Sequence, residues 1–456
     1  MQKELCFSRV MIAATNSGAG KTTLVCGLMQ ALKNRDMQVS AFKCGPDYID
    51  PSFYREIIGT RCTNIDLFFQ DRNTMINIMA DYAEKSDISI IEGVMGYYDG
   101  IGGKSADASA YDVSQNINTS VILVVDAKGA SLSIAATIKG FKDFMPNSNI
   151  EGVILNRCSK MQYILVKDII KYHTNVEVLG YLPYNDEYSF ESRHLGLINA
   201  FEVDHIHKKL NILADQIEET VEVDKIIGLA NKSENLSYEE LKIEKITEDE
   251  PLVAVAMDKA FSFYYAENIS FLEKLGSKIE YFSPIKDAKL PENTSAIYIG
   301  GGYPELHLQS LAENITMKMD IKSKVEEGMP IIAECGGYMY LTKDIDDYDM
   351  VGLIDASAYN AKKLGRFGYI ELTAYEDSML ANKGEKIKAH EFHYYDTTFN
   401  GETFLAKKPL RKKSWDCVHA SKNMYAGFPH LYFYSNVRFA ENFVEAAVYY
   451  KESNQR

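Results

Sequence analysis

The stretch VMIAAT at residues 10–15 continues directly into NSGAGKTTLVCGLMQAL at residues 16–32, and it decides the fold of the first half of this chain. An apolar strand, a turn of small residues and an amphipathic helix, in that order, are typical of a loop that binds phosphate groups. Gly18 and Gly20 allow backbone N–H groups to turn inward around phosphate oxygens. Lys21 is placed to reach the terminal phosphates, and the hydroxyl of Thr22 to bind Mg²⁺.

One position departs from the usual phosphate-loop pattern. Thr15 stands where G-x-x-x-x-G-K-[ST] carries its first glycine. The alternative interpretation is a glycine-rich turn that caps a helix, with Lys21 in solvent. Because the strand, loop and helix follow in the order that the motif requires, we predict an ATP-binding loop at a helix N-terminus. Its residues are Ser17, Gly18, Ala19, Gly20, Lys21, Thr22 and Thr23.

Short β-branched apolar runs alternate with longer amphipathic stretches through the first half of the chain. This alternation predicts an α/β fold in which helices cover both faces of a parallel sheet. The predicted strands are 8–15, 37–43, 87–93, 119–127, 150–156 and 176–183, and the helices between them are 22–34, 131–144 and 162–172.

The same pattern restarts near residue 250, which predicts a second α/β domain. Residues 231–250 are polar, highly charged and poor in aromatics, as expected of a linker. We therefore expect domains at 1–230 and 251–456. The predicted strands of the second domain are 251–258, 277–284, 295–302 and 329–335, and its predicted helices are 264–275 and 308–326.

The composition excludes several classes of function. A formal net charge of -15 argues against nonspecific binding to nucleic acid or to an anionic membrane surface. The seven cysteines are scattered and form no C-x-x-C pair, which favours a reducing compartment. No apolar run approaches the roughly 20 residues of a membrane span. No signal peptide is evident at the N-terminus, so a cytoplasmic location is expected.

Acidic residues follow two of the predicted strands. Asp47 and Asp50 lie three apart in a loop stiffened by two prolines, and Glu92 stands at the end of an apolar strand. Carboxylates held rigidly beside a phosphate loop are suitable Mg²⁺ ligands, and the carboxyl ends of parallel strands face the ligand crevice. The alternatives are a turn stabilised by Asp side chains and a solvated strand end.

The second half contains candidates for nucleophilic chemistry. In MPIIAECGGYMYL, residues 329–341, Cys335 follows a strand and precedes two glycines, as at the sharp turn that exposes a nucleophile. A following helix would lower the pKa of its thiol. The backbone N–H groups of Gly301 and Gly302 are candidates for an oxyanion hole, and His430 for the base. The alternatives are a buried free cysteine and a hydrogen-bonded strand-end histidine.

Three motifs occur together in one order: GPDYIDP at 45–51, EGVMGYYDG at 92–100 and RHLGL at 193–197. With them the chain resembles the cobyrinic acid a,c-diamide synthase family, amidating ligases related to dethiobiotin synthetase. The segments DAKGASLSIAATIKGF at 126–141 and GVILNR at 152–157 extend the resemblance over nearly the whole chain.

The resemblance implies a function and a set of site residues. It implies that ATP phosphorylates a ring carboxylate, that ammonia attacks the resulting acyl phosphate, and that Mg²⁺ and Lys21 neutralise phosphate charge. Thr22, Asp47 and Glu92 would hold Mg²⁺. Asp50 and Asp99 would shape the substrate side, with Tyr48 and Ile49 beside them. Asn156 and Arg157 would lie near the adenine.

The motifs GGGYPE at 300–305, CGG at 335–337 and HLYF at 430–433 resemble the class I glutamine amidotransferase domain that is fused to these synthases. Many class I domains carry Glu two residues after the histidine, where this chain has Tyr432, so the resemblance implies a Cys335–His430 dyad. HEFHYY at 390–395 reads as a strand rather than a metal-binding helix, with His390 and His393 on opposite faces.

The implied partners are a corrinoid polycarboxylate, ATP and L-glutamine. Whether the chain forms a homodimer is left open by the sequence. Two alternatives remain at this point. One is the same diamidation carried out on nickel-sirohydrochlorin, because sequence does not separate the two ring types. The other is a phosphate-loop ATPase switch with an inactive amidotransferase domain, against which the intact Cys335 and His430 argue.

Overall fold

The computed structural model describes residues 2–188, 192–193, 196–197 and 206–454, with the side chains of 192–193 and 196–197 excepted. The RHLGL motif at 193–197 therefore lies outside the residues whose side chains are described. The chain forms two units, Met1–Leu241 and Lys242–Arg456. No described helix is long and apolar enough to cross a membrane.

The first unit contains eleven strands and eight α-helices within the described residues. The strands are β1 Gln2–Leu5, β2 Arg9–Ala14, β3 Val39–Cys44, β4 Arg61–Ile65, β5 Ile88–Glu92, β6 Val121–Asp126, β7 Ile150–Asn156, β8 Glu177–Leu182, β9 Ser192–Arg193, β10 Gly196–Leu197 and β11 Leu236–Glu239. The helices are α1 Lys21–Asn34, α2 Ile49–Phe53, α3 Arg72–Ala83, α4 Ala110–Asn116, α5 Ser133–Phe144, α6 Lys160–Thr174, α7 Ile206–Thr220 and α8 Val223–Ala230.

Seven of these strands form one sheet in the order β4-β3-β5-β2-β6-β7-β8, and every neighbouring pair is parallel. This confirms the predicted parallel-sheet α/β fold. The strands are buried along most of their length because helices cover the sheet. The phosphate loop and the two acidic loops follow β2, β3 and β5, which are neighbours, so the sheet brings their carboxyl ends together.

Helix α1 is held against the sheet by a continuous apolar face. Its buried residues include Leu24, Val25, Leu28 and Leu32, whose spacing of three and four places them on one side of the helix. Burial of each such side chain contributes roughly 1.5–3 kcal/mol. The helix begins at Lys21, so this packing fixes the direction in which the phosphate loop faces.

The predicted linker at 231–250 is partly built into the first unit. Strand β11 pairs antiparallel with β1, and the Ser233 hydroxyl donates to the backbone carbonyl of Arg9. The buried guanidinium of Arg9 donates in turn to the carbonyls of Ile117 and Glu234. The charged composition of the segment hid this pairing, because an edge strand with one solvent-facing side is rich in polar residues. We propose a domain boundary near residues 241–242.

Within its described residues, the second unit contains fifteen strands and five α-helices. The strands are β12 Leu252–Ala256, β13 Lys278–Phe282, β14 Thr294–Ile299, β15 Ile331–Glu334, β16 Thr342–Ile345, β17 Tyr348–Asp349, β18 Ile354–Asn360, β19 Arg366–Ala374, β20 Lys386–His393, β21 Tyr395–Thr397, β22 Phe404–Lys407, β23 Ser414–Cys417, β24 His419–Ala420, β25 Met424–Gly427 and β26 His430–Leu431. The helices, all within the described residues, are α9 Ala266–Lys274, α10 Leu308–Glu313, α11 Ile315–Glu326, α12 Gly336–Leu341 and α13 Arg438–Asn454.

A six-stranded sheet in the order β13-β12-β14-β15-β25-β24 carries the site of this unit, and its first five strands are parallel. A five-stranded antiparallel sheet, β23-β22-β19-β20-β26, contributes the strand that holds His430. The single helix predicted at 308–326 is two helices. Asn314 leaves the helical conformation and accepts a hydrogen bond from the Met317 N–H, so it caps α11.

Candidate functional site

The loop between β2 and α1 is shaped by two glycines with positive φ. Gly18 has φ 78° and Gly20 has φ 90°, a conformation that other residues rarely adopt. The Asn156 amide donates to the carbonyl of Ala19 at 2.8 Å. It lies so close that a side-chain carbon on Gly20 would stand 1.9 Å from its Nδ2 atom. The end of β7 therefore braces the phosphate loop from the side.

Lys21 begins helix α1 in largely enclosed surroundings. Burial lowers the pKa of its ammonium group, while the charges of Glu92 and Asp50 oppose that effect. A phosphate group placed in the loop would supply the missing counter-charge. Lys21 is thus partly buried and not fully in solvent, and its role in binding terminal phosphates stays a prediction.

Beside the loop lies a buried charge cluster centred on Lys43, a residue that sequence reasoning missed. Its Nζ atom lies 2.5 Å from an Asp50 oxygen, 3.0 Å from a Glu92 oxygen and 3.4 Å from an Asp47 oxygen. Lys43 and Glu92 are paired directly across β3 and β5. Burial opposes the charge of Lys43, but Asp50, Glu92 and Asp47 outweigh it and raise its pKa well above the usual value.

Thr22 and Tyr54 complete this cluster. The Thr22 hydroxyl donates to Glu92 at 2.7 Å and lies 3.3 Å from an Asp50 oxygen. The Tyr54 hydroxyl donates to the second oxygen of Glu92. The structure therefore brings together Thr22, Asp50 and Glu92, with Asp47 at the edge. A lysine within the otherwise uncharged strand VSAFKC was the one sequence signal that could have pointed to Lys43.

The four residues predicted on the substrate side have different environments. Asp50 is buried, its Oδ1 has no hydrogen-bond partner among the described residues, and burial together with Asp47 raises its pKa. Tyr48 and Ile49 are buried beside it. Asp99 is exposed and accepts a hydrogen bond from the Gly96 N–H at 2.9 Å. Asp50 thus belongs to the cluster, whereas Asp99 stabilises the loop that follows Glu92.

Asp47 both closes the turn of its loop and directs a carboxylate oxygen toward Lys43. Its Oδ1 accepts hydrogen bonds from the N–H groups of Ile49 and Asp50, at 3.0 and 3.1 Å, as in a turn closed by an Asp side chain. Its Oδ2 is the atom that faces Lys43. The turn therefore orients the second oxygen toward the cluster.

Arg157 also contacts the phosphate loop. Its guanidinium donates to Asp126 at the end of the neighbouring strand, at 3.0 Å from Nε, and reaches the carbonyl of Gly18 at 3.4 Å. Arg157 itself has φ 53°, at the turn that leaves β7. Both residues predicted near the adenine therefore lie against the phosphate loop, at the side of the sheet away from Lys43.

In the second unit, Cys335 occupies a strained turn at the end of β15. Its φ of 50° and ψ of -105° lie outside the usual regions, and its N–H donates to Gly427 of the adjacent strand. The small residues around it are required: a side-chain carbon on Gly337 would stand 2.2 Å from the Ile299 carbonyl. The strained turn is thus present as predicted, but Cys335 itself is buried instead of exposed.

Cys335, His430 and Gly301 converge on one point. A side-chain carbon on Gly301 would lie 2.4 Å from His430 Cε1, 3.1 Å from His430 Nε2 and 3.4 Å from Cys335 Cβ. The Cε1 and Nε2 atoms of the imidazole and the Cβ atom of Cys335 therefore all lie close to Gly301. Gly302 is close as well, since a side-chain carbon on Gly336 would lie 3.1 Å from the Gly302 nitrogen. The N–H of Gly300 is engaged by the Tyr264 hydroxyl.

The predicted lowering of the Cys335 pKa is wrong. Burial raises the pKa of the thiol, and the negative charge of Glu305 adds to the effect. The helix that follows, α12, has only six residues, too few to compensate for the lost hydration. Cys335 is therefore a neutral thiol at rest and needs a base to become a nucleophile.

Two further groups near the cysteine were missed from the sequence. Glu334, one residue before Cys335, is buried and lies 3.7 Å from His430 Nδ1. The Cys335 sulfur lies 4.0 Å from the carbonyl of Phe392, and next to Phe392 the buried Glu391 faces Arg366 at 3.6 Å. Both carboxylate oxygens of Glu391 and Nη1 of Arg366 have no hydrogen-bond partner among the described residues.

Comparison with known proteins assigns each half of the chain to a domain family. Residues 10–198 match the model of the CobQ/CobB/MinD/ParA nucleotide binding domain, and residues 252–437 match that of the CobB/CobQ-like glutamine amidotransferase domain. A cobyrinate a,c-diamide synthase of Caldanaerobacter subterraneus subsp. tengcongensis is 41% identical, with 95% of this chain and 97% of the relative aligned.

The chain belongs to the cobyrinate a,c-diamide synthase family. Further members are the synthases of Clostridium acetobutylicum and Listeria innocua, each 39% identical. The alignments cover 95% and 94% of this chain and 99% and 97% of those proteins. The resemblance inferred from the motifs is thereby confirmed, and with it the assignment to the ligases.

Each of the two domain matches contains one of the two candidate sites. The nucleotide-binding match spans the phosphate loop, the Lys43 cluster and Asn156, and the amidotransferase match spans Cys335, Glu391 and His430. The roles of individual residues follow from the geometry described above and are taken up as proposals below.

Proposed function

We propose that this enzyme amidates the a and c side-chain carboxylates of cobyrinic acid, using ATP and glutamine through acyl-phosphate intermediates. The observation that carries the proposal is the presence of two complete half-sites in one chain. One is a phosphate loop beside a buried cluster of carboxylates, and the other is a strained cysteine facing a histidine. The family assignment supplies the ring substrate.

In the first half-site, the substrate carboxylate attacks the terminal phosphorus of ATP, and the bond to ADP breaks. The acyl phosphate then reacts with ammonia, whose nitrogen bonds to the acyl carbon as inorganic phosphate leaves. Lys21 and the N–H groups of the loop neutralise the phosphate charge and hold the reacting groups in line. Asn156 and Arg157 keep the loop in this shape through Ala19 and Gly18.

We propose that a bound Mg²⁺ takes its oxygen ligands from the residues around Lys43. They offer carboxylate and hydroxyl oxygens, the ligands that Mg²⁺ prefers, and Asp50 Oδ1 is a buried acceptor without a hydrogen-bond partner among the described residues. We propose Thr22, Asp47 and Glu92 as the holders, with Asp50 beside them. The ion, when bound with ATP, supplies positive charge that offsets the charge developing on the phosphoryl oxygens. When no Mg²⁺ is bound, the positive charge of Lys43 offsets the negative charge of the same carboxylates.

The second half-site would release ammonia from glutamine. His430 takes the proton of the Cys335 thiol, the sulfur attacks the amide carbon, and ammonia leaves with a proton returned by His430. Water then cleaves the thioester to give glutamate. In this proposal the N–H groups of Gly301 and Gly302, which lie near Cys335 and His430, stabilise the negative oxygen of the intermediates.

A paired carboxylate and guanidinium near Cys335 suggest how glutamine would be held. Glu391 and Arg366 are opposite charges with unfilled hydrogen-bonding capacity, and the charge of Glu391 reaches the Cys335 thiol. The α-ammonium and α-carboxylate of an amino acid require such a pair. We propose that Glu391 binds the ammonium group and Arg366 the carboxylate.

The ring carboxylates must be amidated one after the other, since the chain offers one phosphate loop. Tyr48, Ile49 and Asp99 lie on the two loops next to the cluster, and we propose that they influence which carboxylate reacts first. An assay with ATP, Mg²⁺ and glutamine on cobyrinic acid, read by mass, tests the function. A diamide preceded by a monoamide is expected. Conversion of nickel-sirohydrochlorin and not of cobyrinic acid would overturn the ring assignment.

A further inference from the structure

The carboxylate of Glu334 connects the nucleophile strand with the strand that carries His430. Its Oε1 accepts a hydrogen bond from the Leu431 N–H at 2.9 Å. Its Oε2 accepts a hydrogen bond from the Tyr298 hydroxyl at 3.1 Å and lies 3.7 Å from His430 Nδ1. Glu334 is only 1% exposed, so its charge acts in surroundings where water screens it little.

The two nitrogen atoms of the His430 ring therefore have different neighbours. The Cε1 and Nε2 atoms lie beside Gly301, which Cys335 also approaches, whereas Glu334 lies 3.7 Å from Nδ1. A base of this kind needs its proton on Nδ1 and its lone pair on Nε2, and a carboxylate at Nδ1 favours that tautomer. The residue two positions after His430 is Tyr432, which has no carboxylate to offer.

We propose that Glu334 is the positioning residue of His430 in glutamine hydrolysis, contributed by the strand of the nucleophile instead of the strand of the base. It would hold the Nδ1 proton and favour the imidazolium that forms when His430 accepts the thiol proton. The inference rests on the proposed function, since it presupposes that Cys335 hydrolyses glutamine. A separation of 3.7 Å exceeds a hydrogen bond, and catalytic contacts commonly shorten when substrate binds.

The neutral resting state of Cys335 makes this role necessary. Because burial raises the pKa of the thiol, the proton must move to His430 as the sulfur attacks. A buried imidazolium without a counter-charge would be costly. Glu334 supplies that counter-charge without taking the proton itself.

The test compares Glu334→Gln with Glu334→Asp in the full-length enzyme. Glutamine preserves the shape and can still accept from Leu431, so a purely structural role would be fulfilled. We expect Glu334→Gln to lower the kcat of glutamine hydrolysis by about 10²-fold with little change in KM. Glu334→Asp, which keeps the charge, should recover part of the loss. The acidic limb of the pH profile should move to lower pH in Glu334→Gln, because a carboxylate no longer favours protonated His430.

Three controls distinguish a failure of this inference from a failure of the proposed function. Tyr298→Phe removes one hydrogen bond to the same carboxylate and should lower kcat only slightly. Cys335→Ala defines the background, and wild-type enzyme that fails to hydrolyse glutamine would contradict the proposed function itself. If wild type is active and Glu334→Gln keeps both its kcat and its pH profile, the positioning role of Glu334 is wrong. If Glu334→Gln does not fold, the pH profile of Glu334→Asp decides the question.

Discussion

Asn156 fills the space in which Gly20 would carry a side chain. The Asn156 Nδ2 atom donates to Ala19, and a β-carbon on Gly20 would stand 1.9 Å from it. A side chain at residue 20 would therefore force the Asn156 amide away from Ala19 and break the contact between the loop and the end of β7. The positive φ of 90° at Gly20 adds a second requirement for glycine.

This relationship predicts that Gly20→Ala abolishes nucleotide binding, measured by calorimetry with a nonhydrolysable ATP analogue. Gly18→Ala is the matched control: it shares a positive φ, but a β-carbon there meets nothing within 4 Å. We expect Gly18→Ala to weaken binding modestly. The double variant Gly20→Ala with Asn156→Ala should regain part of the affinity, since the overlap is removed. Equal affinity of the two single variants would contradict the bracing role of Asn156.

The Lys43 cluster predicts a stability that depends on Mg²⁺ once the lysine is removed. Lys43→Met leaves Asp50 and Glu92 buried without their cation, and breaking a buried pair costs about 3–5 kcal/mol. We expect a lower Tm by calorimetry and a partial recovery when MgCl₂ is added. Lys139→Met, at an exposed ion pair, should change neither value. A Tm for Lys43→Met equal to that of wild type would refute the cluster as described.

Lys21→Ala and Glu92→Gln should each impair amidation with glutamine and with ammonium alike. Both residues serve carboxylate activation in our proposal, and removal of a group that stabilises transition-state charge costs about 10²–10³ in rate. Rates of amide formation with the two nitrogen sources provide the measurement. Near-normal turnover of Glu92→Gln with ammonium would show that Glu92 holds no metal.

His390 predicts how stability depends on pH. Burial, and then the neighbouring His430, lower the pKa of its imidazole well below 6.5, so His390 stays neutral in the folded protein. The unfolded chain then binds the extra proton as the pH falls below about 6.5, and the folded state loses stability on acidification. Chemical denaturation at pH 7.5 and 5.5 should show a smaller loss for His390→Gln than for wild type. His207→Gln, at an exposed position, should behave like wild type, and an unchanged loss in His390→Gln would exclude this contribution.

The sequence predicted best those features that depend on residues adjacent in the chain. The phosphate loop, Cys335 with its glycines, and the alternation of strands and helices are local patterns with a physical reason for each residue. The Lys43 cluster and the Glu334 contact were not predictable, because they depend on which strands become neighbours and in which register. The role of Glu334 was not predicted, because a strand residue next to the nucleophile is expected to point to the opposite face of the sheet.

Local sequence patterns led to wrong predictions in three places. The charged segment at 231–250 contains strand β11, whose pairing with β1 a single sequence does not reveal. The predicted activation of Cys335 by a helix is outweighed by burial, a tertiary effect. The predicted helix at 308–326 ends early because the Asn314 side chain bonds the backbone, which its polar neighbours did not signal.

The central claim is that glutamine hydrolysis at Cys335 feeds ammonia to carboxylate activation at the phosphate loop. The most direct test measures ATP-dependent amide formation by Cys335→Ala, first with glutamine and then with a high concentration of ammonium. Our account predicts that amidation from glutamine is lost while amidation from ammonium continues near the wild-type rate. Loss of amidation with both nitrogen sources in a folded variant, or retention with glutamine, would contradict it.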